Sequence, residues 1–142
     1  MNITKALKQK NKLVSKTNEY ISHVSAYNSI QEGTTRPYDA REALEKAMTS
    51  VDELVALKTA IHKANAKVYD KIFKLAELKS LVSKLKSLDC KEGMHQSYRM
   101  DAPVKYTTQI SIVEKDQWIE KLESQIEMLQ EELEAHNAKT KI

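Results

Sequence analysis

Four histidines (His23, His62, His95 and His136) and a single cysteine, Cys90, are the side chains best suited to metal binding or covalent chemistry. No histidine has a second histidine, a cysteine or a carboxylate at the spacing of a zinc-binding helix or finger. His23 and His62 fall mid-helix beside apolar stripes, where a solvated or hydrogen-bonded ring is the ordinary outcome. Cys90 stands next to Lys91, but beyond a neighbouring cation a nucleophile needs a base and a third group to orient that base. Nothing near it in sequence supplies either. The carboxylates crowd into residues 114–134 (Glu114, Asp116, Glu120, Glu123, Glu127, Glu131, Glu132 and Glu134), at spacings that put them on the outer flanks of an amphipathic helix. With two glycines in the whole chain there is no phosphate-cradling loop. Lys5, Lys8, Lys12 and Lys16 form a stripe that could touch phosphates, without the interleaved arginines or exposed aromatics that read bases. No catalytic residue, cofactor or metal is therefore expected, and the protein is not expected to be an enzyme.

The chemistry that remains is association, and it depends on the elements that carry it. The chain has 142 residues, 41% of them hydrophobic and 30% charged, with 2 Gly, 2 Pro and 1 Phe. That balance belongs to a solvated helical protein whose helices bury narrow stripes. The net charge of +3 is too mild to argue for nucleic acid by itself. No apolar run reaches the roughly 18 residues that would span a bilayer, and the lone cysteine fits a reducing compartment, so no membrane is expected and the cytoplasm is.

Gly33 and Pro37 bracket one loop, and Gly93 and Pro103 another. The first block carries Ile3, Leu7, Lys10, Val14, Thr17, Ile21, Val24 and Asn28 at alternating spacings of four and three, one helical face. Ala6, Leu13, Tyr20 and Tyr27 widen that stripe. The second block opens on Asp39 three residues before Glu42, a capping-box start. Its stripe runs Ala40, Leu44, Ala47, Val51, Leu54, Lys58, Ile61, Asn65, Val68, Ile72 and Leu75, on to Val82 and Leu85, with a break most readily placed at 65–70. From Val104 to Ile112 the period changes to two, and Met94, Gln96, Tyr98 and Met100 alternate less cleanly before Pro103. A β-hairpin across Asp101–Pro103 is the simplest reading. Ser111 with Glu114 caps a last helix through Trp118, Leu122, Ile126, Leu129, Leu133 and His136.

The motifs Asn28–Gly33, Pro37, Ile61 with Asn65, Tyr98-Arg99, Lys105-Tyr106 and Leu133–Thr140 resemble a family of small bacterial helical proteins, the septicolysin-like proteins, whose function is unknown. The likeness extends over nearly the full length. The chain departs from it in lacking a glycine at 68–71, where the family turns. The family name implies a cytolysin; a mean hydropathy of −0.57 and the lack of a long apolar hairpin give lysis no support. The resemblance brings no catalytic residues with it.

The expected fold is thus mainly α: an antiparallel long-helix coiled coil or bundle with a short β-hairpin or strand before the last helix. It forms one helical domain over 1–142, with helices at about 2–30, 39–64, 70–90 and 112–138 and a strand segment at about 94–111. Gly33 should follow the first helix with φ > 0. The basic first helix and acidic last helix are expected side by side. A structural or protein-interaction module that self-associates through its helical seams is the expected function. The alternative is a nucleic-acid-associated protein of a mobile element or phage, using the Lys-rich first helix. The expected homo-oligomer interface draws on Leu7, Val14 and Ile21, on Tyr106 and Ile110, and on Trp118, Leu122, Ile126 and Leu129.

Overall fold

A computed structural model describes residues 1–99 and 101–142; Met100, assigned above to the first arm of the hairpin, lies outside the described residues. The protein is mainly helical, at 68% of the chain, with a small two-stranded antiparallel sheet before the last helix. Helix α1 spans Ile3–Tyr27, α2 Ala40–Ala64, α3 Tyr69–Lys86 and α4 Ile112–Lys139; the strands are β1 (Gly93–His95) and β2 (Val104–Tyr106).

Three helix starts are fixed by side-chain caps, which satisfy amides that a first turn leaves unpaired. Asn2 Oδ1 accepts the Lys5 amide at 2.9 Å, Asp39 accepts that of Glu42 at 2.9 Å, and Ser111 Oγ that of Glu114 at 3.1 Å. The break after α2 falls where Asn65 suggested. Its amide donates to both Ile61 and His62, and Ala66 donates to Lys63, so the last turn tightens from four-residue to three-residue bonds and runs out. Asn65 does this at φ −89°, so no glycine is required.

The first helix ends at Tyr27, short of residue 30, and Gly33 is not its cap. Arg36 takes that role: its Nε donates to the Tyr27 carbonyl at 2.9 Å and an Nη to the Asn28 carbonyl at 3.0 Å. Arg36→Ala should lower stability by about 1 kcal/mol in urea unfolding, the scale for exposed charge-assisted bonds. Arg36→Lys should not restore it, because a compact ammonium cannot reproduce the planar two-point fork; full rescue by lysine would show that only charge matters there. Gly33 does have positive φ, +85°, but out in the loop, with nothing within 4 Å of where a Cβ would stand. Gly33→Val should therefore cost roughly 1–2 kcal/mol from left-handed backbone strain alone. An unchanged urea midpoint would mean that the loop re-routes freely.

The chain divides into two compact units, Met1–Lys67 with Ala135–Ile142, and Val68–Glu134. In the first, α1 and α2 form an antiparallel helical hairpin. Ile3 and Ala6 pack against Ile61, with Leu7, Leu57 and Ala64 around them. Leu13 lines a recess with Ser50, and at the far end the ring of His23 stacks on Tyr38 at 3.9 Å. The buried residues are Ile3, Ala6 and Leu13 on α1, and Ala43, Ala47, Ser50 and Ile61 on α2. This corrects the expected seam. Val14 and Ile21 of α1, and Leu44, Val51 and Lys58 of α2, face outward. Small residues decide the matter: Ala43, Ala47 and Ser50 let the two backbones approach closely, which the larger side chains of the neighbouring stripe would prevent.

The tail closes this unit. The Ile3 amide donates to Thr140, the Ile142 amide to Met1, and Asn2 Nδ2 to Ala138. The half-buried His136 ring joins the two, its Nε2 donating to Asn65 Oδ1 and its Nδ1 accepting from the Thr140 hydroxyl, both at 3.1 Å. The start of the first helix does meet the end of the last, then, but through backbone. The acidic residues of α4 make their described ion pairs with α3 instead.

In the second unit α3 and α4 run antiparallel, joined by Lys71–Glu132 at 2.8 Å and Lys86–Glu123 at 3.3 Å. Hydrogen bonding to Glu132, and then its charge, raises the Lys71 ammonium above its usual 10.5. That contribution is lost as pH climbs through the raised value. Lys115 Nζ donates to the Lys86 and Leu88 carbonyls at the end of α3. The hairpin pairs Gly93 with Tyr106, Met94 with Lys105 and His95 with Val104. It is much shorter than the expected 94–111 segment: Ile110 lies in a loop and Ile112 is already helical. Alternation alone cannot extend a strand without a partner, and the Ser111 cap commits the chain to helix first.

Candidate interaction surface

The outward stripe of the first unit is its most distinctive surface. On α1, Val14 and Ile21 are 37% and 45% exposed; on α2, Leu44, Met48, Val51 and Val55 are 43%, 62%, 44% and 58% exposed. Ile3 meets Ile61 at one end of the hairpin and His23 meets Tyr38 at the other. Those contacts set Ile21 level with Leu44, and Val14 level with Val51, along one side of the pair. Together the six expose on the order of 500 Å², the upper range of what a monomer leaves to solvent. The α1 border of this patch is uncharged, made of Asn11, Ser15, Asn18, Ser22 and Ser25. Leu7 belongs to the same stripe of α1 but is half-buried against the Ile3 cluster.

The other expected interface residues do not gather there. Leu122, Ile126 and Leu129 are half-buried along α4, whereas Trp118 is 47% exposed. The inward residue beside Trp118 is Ile119, one position on, so the seam of α4 runs through Ile119, Leu122, Ile126 and Leu129 and departs from the expected one at Trp118. The Trp118 indole donates to Glu114 Oε1 at 3.4 Å and lies under Lys121 Nζ, 5.2 Å from the ring centroid. Tyr106 and Ile110 line a shallow recess with Leu88 and Lys91, and Lys91 Nζ lies 5.0 Å over the Tyr106 ring. Sequence reading missed Met48 and Val55. Their signal was present, since 44, 48, 51 and 55 repeat the four-three-four spacing of a second stripe.

Electrostatically the helical hairpin is polar along its length. Residues 3–12 and 56–64, which share one end, carry Lys5, Lys8, Lys10, Lys12, Lys58 and Lys63 and no carboxylate. Residues 17–27 and 39–53 carry Glu19, Asp39, Glu42, Glu45, Asp52 and Glu53 against Arg41 and Lys46. Lys46 pairs within its own helix with Glu42 at 3.0 Å. The apolar patch lies between and across these two ends.

The groups singled out for chemistry are dispersed. His95 donates its Nε2 proton to the Glu92 carbonyl at 2.8 Å, His23 is stacked on Tyr38, and His136 bridges Asn65 and Thr140. Cys90 is half-buried in the loop after α3. Among the described residues no three His, Cys, Asp or Glu side chains are grouped to hold a metal, and no helix is long and apolar enough to cross a membrane. Comparison with protein-family models, curated proteins and solved structures finds no match.

Proposed function

We propose that the protein is a structural or protein-interaction module, without enzymatic activity, that self-associates through a helical face. The observation that carries this reading is the apolar stripe of Val14, Ile21, Leu44, Met48, Val51 and Val55 exposed along one side of the α1–α2 hairpin. Exposed aliphatic side chains at helical spacing gain most when a second helical surface covers them. The resemblance of its motifs to the septicolysin-like proteins, and the reducing compartment that a lone cysteine favours, support a bacterial and cytoplasmic setting for such a module. Sedimentation or light scattering over a wide concentration range tests the reading. A mass above that of one chain, nearly insensitive to salt, is expected; a strict monomer at high micromolar concentration refutes it.

The lysine-only end of the helical hairpin supports a second reading, association with nucleic acid. Titration with duplex DNA at several salt concentrations separates the two. Binding through these lysines would weaken steeply with salt, in proportion to the phosphates neutralised.

A further inference from the structure

We infer that the occupant of the α1–α2 apolar face is the same face of a second copy, docked with its helices antiparallel to the first. The inference rests on the self-association proposed above and adds the surface, the orientation and the register. Area is the first argument. Two copies of a patch near 500 Å² bury about 1,000 Å² in all, the floor for a specific interface, and the rim adds to it.

Charge selects the orientation. A parallel arrangement would set the lysine-only end of one hairpin on that of the other. An antiparallel two-fold sets each lysine end on the partner's carboxylate-rich end. The α1 side offers no obstacle, since Asn11, Ser15, Asn18, Ser22 and Ser25 bring no charge to the contact.

The spacing then fixes the register. With α2 antiparallel to the partner's α2 about an axis near Val51, Met48 faces the partner's Val55, while the two Leu44 side chains stand roughly 22 Å apart along the helices at 1.5 Å per residue. A two-fold axis makes each such contact twice.

Analytical ultracentrifugation of the full chain tests each part. The wild type should form dimers, and Met48→Glu with Val51→Glu should give monomers of unchanged helicity, since both side chains already face solvent. In a Cys90→Ser background, Val51→Cys should form an oxidised cross-link to its own copy across the axis, whereas Leu44→Cys should not, because a disulfide needs Cα atoms within about 7 Å. A monomeric wild type overturns both this inference and the self-association on which it rests. A dimer that survives Met48→Glu/Val51→Glu overturns the inference alone and leaves self-association through another surface. If the face mutant is monomeric but Leu44→Cys cross-links to its own copy, the antiparallel register is wrong.

Discussion

Ile3→Ala should destabilise the protein by roughly 3 kcal/mol, within the range for truncating a large aliphatic side chain in a core. Ile3 is fully buried, at 0% exposure, and is the largest side chain so enclosed among the described residues. It stands between Ala6 and Ile61, while its own amide holds the Thr140 carbonyl at 3.1 Å. The cavity therefore opens where the first turn of α1, the end of α2 and the tail converge. Small domains have only about 5–15 kcal/mol to lose, so the urea midpoint should fall far enough to be unmistakable. Hydrogen exchange should show the Ile3 and Ile142 amides losing protection along with it. A loss below about 1 kcal/mol would mean that the site collapses to refill the space, and that the tail is anchored elsewhere.

The second large effect should come from adding volume instead of removing it. Ala47 is 2% exposed in the small-residue face of α2 that admits α1. Ala47→Leu has nowhere to place three further carbons without moving the helices apart, and should cost roughly 1–3 kcal/mol. Met48→Leu, one position away on the outward stripe, should change stability by less than about 0.5 kcal/mol. The contrast between neighbours is the test. Equal tolerance at 47 and 48 would show that α1 and α2 do not approach through Ala43, Ala47 and Ser50.

Much of this architecture is legible in one dimension because its causes are local. Asp39 and Ser111 announce helix starts, since a side-chain oxygen and an amide three residues on need no third party. The hairpin before the last helix is marked by Pro103 and the change of period. The break near Asn65 is marked by an asparagine, although the expected glycine is absent. The limits of local information show at the same places. The helix end at Tyr27 depends on Arg36, nine residues along, reaching back to its carbonyl. Strand length beyond Tyr106 depends on whether a partner strand exists, and alternation says nothing of that.

The amphipathic stripes of α1 and α2 are set by the sequence alone, but each helix carries two that spacing cannot rank. On α1, Ile3, Lys10, Thr17 and Val24 with Ala6, Leu13, Tyr20 and Tyr27 compete against Leu7, Val14 and Ile21. By hydrophobicity the second set belongs inside. Packing chose the first: close approach through Ala6, Ala43, Ala47 and Ser50 gains contact between whole backbones and outweighs burying a few larger side chains. Lys10 is tolerated because its aliphatic stem can lie along the seam while the ammonium reaches water. The Thr17 hydroxyl is satisfied by the Leu13 carbonyl of its own helix at 2.8 Å. What the sequence determined was that two apolar faces exist on these helices; which one became the core, and which was left outside as a surface, was settled only when α1 met α2.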